Sequence, residues 1–402
     1  MRILFLTQVL PYPLDAGPKI RAYYTLRHLA SQHEIVLLSF RRQADPPEAI
    51  AKLSEICRAV YAVPIRRSAL GDAWHGFLSL LNGEPFLISR DRNIEMRQAV
   101  RWVVKEEGPF DAIHADQLWM APYAAFARSQ LPNPGQVRMI LDQHNAVFQI
   151  PRRMAQGERN YLKREILKLE SRKLAKYEIR TCAECDHVVF VSEQDQSALR
   201  QYGLPESIPS RQTVIPISVD TEHLRMPMAK DAPPRVTFMG GLHWPPNAEG
   251  VEWFTKQVWS LVRTSVPEAI FTLIGKLPPG KSLKPRESIE VTGYLNDPDP
   301  YLKETRVFVV PLQSGGGMRV KILDAWSRSL PVVSTTIGAE GLRAHHGKNI
   351  LLADTPEEFA KAVNSLLLDS RLAASIASEG RSTVETHYDW KRVYSLWDEV
   401  YG

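Results

Sequence analysis

The 402-residue chain is 44% hydrophobic and 24% charged, an ordinary globular composition, and its length makes two domains the first expectation. Its three cysteines are too few for a disulfide framework, and no apolar run reaches the roughly 18 residues of a transmembrane helix. The net charge of +5 suits anionic ligands but does not choose among nucleotide diphosphates, anionic lipids and nucleic acid.

The first half of the chain alternates short apolar runs with amphipathic stretches. Met1–Leu6 resembles the start of a secretion signal, but Gln8 and the PYP turn at 11–13 interrupt it, so a first β-strand is favoured. Nearly continuous apolar runs are typical of strands that are buried on both faces. Strands are therefore predicted at 2–7, 34–40, 59–63, 111–114, 137–142 and 187–191.

The second half restarts the same rhythm after a Pro-containing linker at 230–234. Strands are predicted at 235–239, 270–274, 289–291, 307–310 and 332–334, and three helices in a row close the chain. This βαβ rhythm predicts an α/β protein with two Rossmann-like, doubly wound domains that face each other across a cleft. The predicted domains are residues 1–229, residues 230–386 and a C-terminal helix at 387–402 that packs back on the first domain.

A long basic segment at 152–180 is predicted as one helix, with ten Lys or Arg against four Glu and apolar residues three or four apart. Two interpretations stay open. The helix is either a solvated element with one face on the core, or a surface that contacts anionic membrane lipid or a lipid-linked acceptor. No motif that reads nucleic acid is present, so nucleic acid is not expected as a partner.

The most informative motif is SGGGMRVKILDA at 314–325, which follows a predicted strand and opens a helix. Gly315, Gly316 and Gly317 allow backbone N–H groups to converge on an anion at the start of that helix. Arg319 and Lys321 add positive charge at the same point, which suits a diphosphate. Asp324, about one turn later, can accept hydrogen bonds from a ribose diol.

These motifs resemble the retaining glycosyltransferases of family 4, which have the two-domain GT-B fold. The resemblance spans nearly the whole chain and looks closest to the sugar transferases of bacterial exopolysaccharide clusters. The carboxyl half matches through PVVST at 331–335, GAEGL at 338–342 and VTGYL at 291–295. The amino half matches through PYP at 11–13, AGPKIR at 16–21, DQHN at 142–145 and VSE at 191–193.

The resemblance implies roles for individual residues. Gly17 would lie in the loop after the first strand, where the backbone approaches the donor phosphate. His144 would be the active-site histidine near the transferred sugar, and Asp324 would bind the ribose. The backbone around Gly293 and Tyr294 would hold the base.

Two departures from the family pattern concern the donor site. The family's paired acidic motif has two glutamates, whereas this chain has Gly316 at the first position and Asp324 at the second. The family's Arg and Lys after the first strand of the donor domain are missing from GGLHWPPN at 240–247. We expect Arg319 and Lys321 to replace them. Gly241, in that run, and Glu340, in the GAEGL run, complete the expected donor-binding set.

The expected activity is retaining transfer of a sugar from a nucleotide-diphosphate sugar to a saccharide or lipid-linked acceptor in cell-surface polysaccharide synthesis. His144, Arg319 and Lys321 are the expected catalytic residues. Cations and amide dipoles would stabilise the departing diphosphate, so neither a metal nor another cofactor is expected. The expected location is cytoplasmic, including the inner face of the plasma membrane.

Three other features resemble functional sites but are interpreted as structural. Cys182 and Cys185 are expected to be buried, because no second ligand pair at zinc-finger spacing follows them. The DPD run at 297–299 resembles a metal-binding pair but sits in a turn where Asp is a common N-cap. The HH pair at 345–346 is expected to form a surface turn.

Two alternatives from other functional classes stay open. The missing first glutamate is compatible with a non-catalytic subunit that only binds a nucleotide sugar. A nucleotide-sugar epimerase would use the same fold. A sugar phosphorylase would need a pyridoxal lysine pocket, and the sequence shows no sign of one.

Overall fold

The computed structural model describes residues 1–66, 68–204, 211–222, 233–277 and 288–402. Two compact units divide the chain, the first formed by Met1–Ile217 with Val393–Gly402 and the second by Ser218–Arg392. The first boundary precedes the predicted linker at 230–234, of which residues 230–232 lie outside the described ranges. Within the described ranges, no helix combines the length and the apolar composition needed to cross a bilayer.

The first unit is built on a seven-stranded parallel sheet in the order β3-β2-β1-β4-β5-β6-β7. Its strands are β1 (Arg2–Thr7), β2 (Glu34–Arg41), β3 (Ala59–Pro64), β4 (Ala112–Asp116), β5 (Arg138–Gln143), β6 (His187–Phe190) and β7 (Arg211–Val214). Its helices are α1 (Gly17–Leu29), α2 (Glu48–Ser54), α3 (Ala69–Asn82), α4 (Phe86–Arg90), α5 (Ile94–Glu107), α6 (Ala121–Ser129), α7 (Gln149–Gly157), α8 (Tyr161–Glu184), α9 (Glu193–Gln201) and, at the carboxyl end of the chain, α17 (Leu396–Tyr401).

The second unit has a six-stranded parallel sheet in the order β10-β9-β8-β11-β12-β13. Its strands are β8 (Arg235–Met239), β9 (Ile270–Ile274), β10 (Ile289–Gly293), β11 (Thr305–Val310), β12 (Val332–Ser334) and β13 (Leu351–Leu352). Its helices are α10 (Pro245–Trp253), α11 (Trp259–Ser265), α12 (Asp299–Lys303), α13 (Val320–Ser327), α14 (Pro356–Leu368), α15 (Ser370–His387) and α16 (Trp390–Val393), which crosses into the first unit.

The predicted α/β class and the two doubly wound sheets are confirmed. In the first unit, β1 and β2 are buried along almost their whole length, as expected when helices cover both faces of a parallel sheet. Every strand predicted from an apolar run is present within one or two residues at each end. Parallel strands align their carboxyl ends at one sheet edge, which is where ligands bind in such folds.

The sequence analysis missed two edge strands. β7 contains Arg211, Gln212 and Thr213 and is half-exposed, so it lacks the apolar run that identifies a buried strand. β13 has only two residues. Their polarity and brevity are the reasons that periodicity did not find them.

The single helix predicted at 152–180 is wrong. Two helices occupy this segment, because α7 ends at Gly157 and α8 begins after the N-cap Asn160. The side chain of Asn160 accepts a hydrogen bond from the backbone N–H of Lys163 at 3.0 Å. Asn at this position is an ordinary helix start signal.

The helical segment that follows β8 is also interrupted. It begins at Pro245 and passes through a π-helical turn at Phe254–Val258 before α11. The C-terminal helix predicted at 387–402 is likewise divided into α16 and α17.

Candidate functional site

The loop between β11 and α13 carries the motif predicted to bind an anion. Gly315 and Gly317 have φ angles of 116° and 75°, a left-handed region that favours glycine. Arg319 is the buried N-cap residue of α13, and its guanidinium donates hydrogen bonds to the carbonyl oxygens of Gly316 and Ile337. The Arg319 cation therefore lies at the helix start, as predicted. Some of its N–H groups, however, donate hydrogen bonds to backbone carbonyl oxygens of the protein, including one in the glycine loop.

Lys321 extends from the first turn of α13 to the end of β8. Its Nζ donates a hydrogen bond to Asn247 Oδ1 at 2.7 Å and lies 4.4 Å from the centre of the Phe238 ring. A Cβ built on Gly240 would lie 2.9 Å from this Nζ. Burial, together with the positive charge of Arg319, lowers the pKa of Lys321 to about 7. Lys321 thus brings an amine to the loop at 240–247, which has no Lys or Arg of its own.

The loop at 240–247 is closed by close backbone approaches. Asn247 Nδ2 donates to the carbonyl oxygen of Gly241 at 2.9 Å. A Cβ on Gly241 would lie 2.4 Å from the His243 ring, and one on Gly275 would lie 2.1 Å from the carbonyl oxygen of Gly240. Only glycine fits at Gly241 and Gly275 without moving these neighbours, so the loop after β8 is tightly fixed against the loop after β9.

Tyr294 and Glu340 follow two other strands of the same sheet. Tyr294 lies just after β10 and is exposed, and the preceding Gly293 has a φ of 76°. Glu340 follows a short 3₁₀ helix after β12, and a Cβ on the next residue, Gly341, would lie 3.4 Å from Met318 Cγ. The Glu340 turn therefore lies against the glycine loop. Tyr294 follows the edge strand β10, which β9 separates from β8 and its Gly241 loop.

Asp324, the predicted ribose ligand, already has a protein partner. It lies three residues after Lys321 on α13, which places both side chains on one helix face. Its Oδ1 forms an ion pair with Arg328, and Arg328 also contacts Asp299 Oδ1 at 3.3 Å. A ribose hydroxyl at this carboxylate would have to share it with Arg328.

In the first unit, buried charges meet at the carboxyl ends of β4 and β5. Arg21 of α1 donates two hydrogen bonds to the two oxygens of Asp142, at 2.9 and 2.8 Å. The same guanidinium donates to the carbonyl oxygens of Ile215 and Pro216. Arg21 and Asp142 are fully buried, and the arginine outweighs the effect of burial and lowers the pKa of the Asp142 carboxyl.

His144 follows β5 and lies between two carboxylates. Its Nε2 lies 2.9 Å from Asp116 Oδ1 and 3.5 Å from Asp142 Oδ2. Burial opposes the charged imidazolium, but the two carboxylates outweigh it and raise the pKa of His144 to about 9. His144 Nδ1 is buried and has no hydrogen-bond partner among the described residues.

Two buried carboxylates hold the backbone that follows His144. Asp195 accepts a hydrogen bond from Ala146 N at 2.8 Å, and Glu178 of α8 accepts from Val147 N at 2.6 Å and from Phe148 N. Burial raises the pKa of Glu178 well above its usual value. Sequence reasoning missed these contacts, because each joins residues at least 30 positions apart. Asp142 and Arg21 were visible in the motifs, but their pairing was not.

Gly17 is the first residue of α1 rather than part of the loop after β1. Pro18 follows it, and proline is favoured in the first turn of a helix because its missing N–H is not needed there. The expectation that Gly17 lies in a loop is therefore corrected. Gly17 and His144 belong to the first unit, and the other predicted site residues belong to the second.

One group of potential metal ligands occurs within the described ranges, formed by His114, Asp116 and Asp142. Both carboxylates already face cations, Arg21 and His144. Burial lowers the pKa of His114 to about 3, and its Nδ1 lies 2.7 Å from the Tyr401 hydroxyl. A metal at these three residues would have to compete with their internal contacts. The expectation that the protein works without a metal stays a prediction.

Two family models match the chain. The one described as Glycosyltransferase Family 4 covers residues 17–223, just over half of the sequence. The other, described as Glycosyl transferases group 1, covers residues 233–369. The chain belongs to glycosyltransferase family 4. The resemblance carried by the sequence motifs is thereby confirmed.

This glycosyltransferase is similar to a protein encoded in the cps region of Klebsiella pneumoniae, with 23% identity across 98% of both chains. A 98-residue segment is 30% identical to the lipopolysaccharide core biosynthesis glycosyltransferase LpsE of Rhizobium meliloti, covering 24% of this chain and 28% of LpsE.

Solved GT-B glycosyltransferases share the fold. Anabaena HepE, in complex with UDP and glucose, superposes with a TM-score of 0.68 at 15% identity, covering 100% of this chain and 99% of HepE. Staphylococcus aureus TarM superposes with a TM-score of 0.68 at 12% identity, covering 100% of both chains. The predicted GT-B fold of this glycosyltransferase is confirmed.

The structure describes the three other motifs of the glycosyltransferase that were interpreted as structural. Cys182 and Cys185 are free and buried. His346 Nδ1 accepts a hydrogen bond from the backbone N–H of Leu352. Asp297 accepts one from Asp299 N, although the N-cap of α12 is Pro298 and not an aspartate.

Proposed function

We propose that this glycosyltransferase is a retaining, metal-independent enzyme that uses a nucleotide-diphosphate sugar as donor. The observation that carries the proposal is the position of Lys321, whose Nζ reaches the Gly240 loop from α13. A donor diphosphate between the glycine loop and the Gly240 loop would meet Lys321 on one side and the Arg319 guanidinium on the other. These two residues take the place of the cations that GGLHWPPN lacks.

The chemistry follows from the charge of the leaving group. Breaking the bond between the anomeric carbon and the phosphate oxygen leaves additional negative charge on the departing diphosphate. Fixed cations and backbone N–H groups lower the barrier if they stabilise this charge more strongly in the transition state than in the bound donor. Lys321 and the N–H groups at the start of α13 are suited to this role, with no metal required.

The buried carboxylates of the first unit do not suit the route to retention that passes through a covalent glycosyl-enzyme intermediate. Asp142 is held by Arg21, and Asp116 faces His144. Neither carboxylate is therefore presented as a free nucleophile. We infer that the acceptor attacks from the face that the diphosphate leaves, and that a phosphate oxygen takes the acceptor proton. His144 is the proposed active-site histidine, and Asp116 and Asp142 hold its imidazole in place.

The donor and the pathway are proposed from the relatives. HepE was crystallised with UDP-glucose, so UDP-hexoses are the first donors to test here. The Klebsiella relative lies in a cps region, and LpsE acts in lipopolysaccharide core synthesis. We therefore propose a saccharide or lipid-linked acceptor in cell-surface polysaccharide synthesis, and Asp324, Tyr294 and Glu340 as further donor contacts.

The test measures nucleotide release from a panel of nucleotide sugars, with and without membrane extract as the source of acceptor. We expect release with one donor, and product with the anomeric configuration of that donor by NMR. Lys321→Ala should lower turnover by about 100-fold or more, the usual effect of losing one transition-state contact. Lys361→Ala, at an exposed lysine of α14, is the matched control. Normal turnover by Lys321→Ala would refute the diphosphate assignment, and an inverted product would refute retention.

A non-catalytic binding subunit is the second candidate, favoured by Gly316 at the position of the first family glutamate. It predicts that a nucleotide sugar raises the melting temperature while no donor is consumed with or without membrane extract. An epimerase would instead release an epimerised nucleotide sugar without needing an acceptor. A thermal-shift measurement and NMR of the recovered nucleotide sugar, both carried out with the same panel of donors, identify these two outcomes.

A further inference from the structure

α3 exposes a stripe of large apolar side chains that the proposed reaction does not use. Leu70 is 86% exposed and Leu81 is 69% exposed, and Trp74 and Phe77 are each more than half exposed. Their spacing of four, three and four residues places all four on one face of the helix. A soluble protein rarely leaves such a contiguous apolar face in water without a partner for it.

The opposite face of α3 is fixed to the first unit. His75 Nδ1 lies 3.1 Å from Ser89 Oγ, and Ser79 is buried with its hydroxyl donating to the carbonyl oxygen of Glu84. Lys173 of α8 donates to the carbonyl oxygen of Ser79 at 2.5 Å. The exposed stripe is therefore held outward by a helix that is anchored on its other side.

The neighbouring helix α8 supplies positive charge and a second apolar stripe. Leu162, Ile166 and Leu169 are exposed and share a helix face with Lys173, the residue that contacts α3. α8 contains seven Lys or Arg against four Glu, and one of those glutamates, Glu178, is fully buried. α3 adds only one acidic residue, Asp72.

We propose that the exposed faces of α3 and α8 dock on an anionic lipid bilayer. Leucine and aromatic side chains would enter the boundary between headgroups and acyl chains, where tryptophan is favoured. The lysines and arginines of α8 would contact the anionic headgroups. This arrangement differs from the basic helix expected at 152–180, because α3 supplies the most exposed apolar residues and carries no lysine or arginine. The proposal does not depend on the proposed reaction.

Co-sedimentation with vesicles tests the proposal in the full-length protein. The wild type should bind vesicles that contain phosphatidylglycerol, bind pure phosphatidylcholine vesicles more weakly, and release as salt rises. The Leu70→Ser/Leu81→Ser variant should lose about tenfold or more of its partitioning, since each leucine contributes buried apolar area. The matched control is Ile94→Ser/Leu368→Ser, which changes two leucine-sized residues that are 76% and 68% exposed elsewhere.

Two further measurements distinguish lipid docking from misfolding, from loss of donor binding and from self-association. Thermal unfolding and the thermal shift produced by a nucleotide sugar should be the same in both double variants as in the wild type. Failure of the wild type to bind anionic vesicles would overturn the proposal, as would equal binding by Leu70→Ser/Leu81→Ser. A dimer in size-exclusion chromatography that only this variant abolishes, without vesicle binding, would overturn it too and would assign the stripe to a second copy of the chain.

Discussion

Lys321 and Asn247 form a hydrogen bond of 2.7 Å between residues 74 positions apart in the chain. Asn247 is also the residue that closes the loop after β8, through its 2.9 Å hydrogen bond to the Gly241 carbonyl oxygen. One amide side chain therefore fixes both the position of the lysine and the shape of the loop that the lysine reaches. In the proposed site, Asn247 is a positioning residue.

Replacing Asn247 by alanine should weaken the binding of the donor by about tenfold. The change removes two hydrogen bonds, each contributing about 1 kcal/mol, and frees the Lys321 side chain to adopt other rotamers. Calorimetric titration with the nucleotide sugar measures the effect. Asn364→Ala is a suitable control, because the side-chain oxygen of Asn364 has no hydrogen-bond partner among the described residues. Equal affinities in the two variants would contradict the positioning role of Asn247.

Donor binding should take up a proton at Lys321. Burial and Arg319 lower the pKa of this lysine to about 7 in the free protein, and a bound diphosphate favours the charged ammonium and raises the pKa again. By linkage, the affinity should be constant below pH 7 and should fall as the pH rises above 7. The diphosphate of a nucleotide sugar is diesterified and does not titrate near neutrality, so the pH dependence belongs to the protein.

Calorimetric titrations at pH 8 in buffers of different ionisation enthalpy count the protons taken up. Lys321→Gln should remove both the uptake and the decline in affinity above pH 7. A wild type that shows neither effect would show that Lys321 does not face the diphosphate.

His144 should stabilise the folded protein mainly below neutral pH. Its pKa rises from 6.5 to about 9 on folding, so its contribution to the free energy of unfolding is fully present below pH 6.5 and is lost as the pH rises through 9. His144→Gln should therefore be less stable than the wild type by on the order of 2 kcal/mol at pH 6.5, and this difference should shrink towards pH 9.5. Urea unfolding at both pH values measures it.

The control for this prediction is His345→Gln, which changes an exposed histidine in a turn of the second unit. The stability of this variant at the two pH values is the baseline for losing a histidine outside the buried cluster of charges. A difference at His144 that stays constant from pH 6.5 to 9.5 would mean that the imidazole is neutral between its two carboxylates.

Glu178→Ala should destabilise the first unit by about 3 kcal/mol, because it leaves the buried N–H groups of Val147 and Phe148 and the Gln143 amide without their acceptor. Turnover should fall as well, since this backbone follows His144 directly. Glu184→Ala, at the exposed end of the same helix, should have little effect on either quantity. If Glu178→Ala were as stable as Glu184→Ala, the contacts that hold the His144 loop would not be needed.

The sequence by itself determined the α/β class, the two sheets, the family and the glycine motif. Apolar runs identify strands that are buried on both faces, and the motifs at 314–325 and 338–342 use residue types whose chemistry is visible without coordinates. The absence of Lys and Arg from the loop at 240–247 was also visible in the sequence. It led to the expectation that Arg319 and Lys321 replace the cations that the family has there.

Only the tertiary structure decided which groups meet. The pairs Lys321–Asn247, Arg21–Asp142 and Glu178–Val147 join residues that are 74, 121 and 31 positions apart. No local pattern encodes such pairs, because they arise when parallel strands bring their carboxyl ends to one sheet edge. The outward face of α3 was settled in the same way, since burial depends on what packs against a helix, whereas the N-cap Asn160 that begins α8 is a local signal.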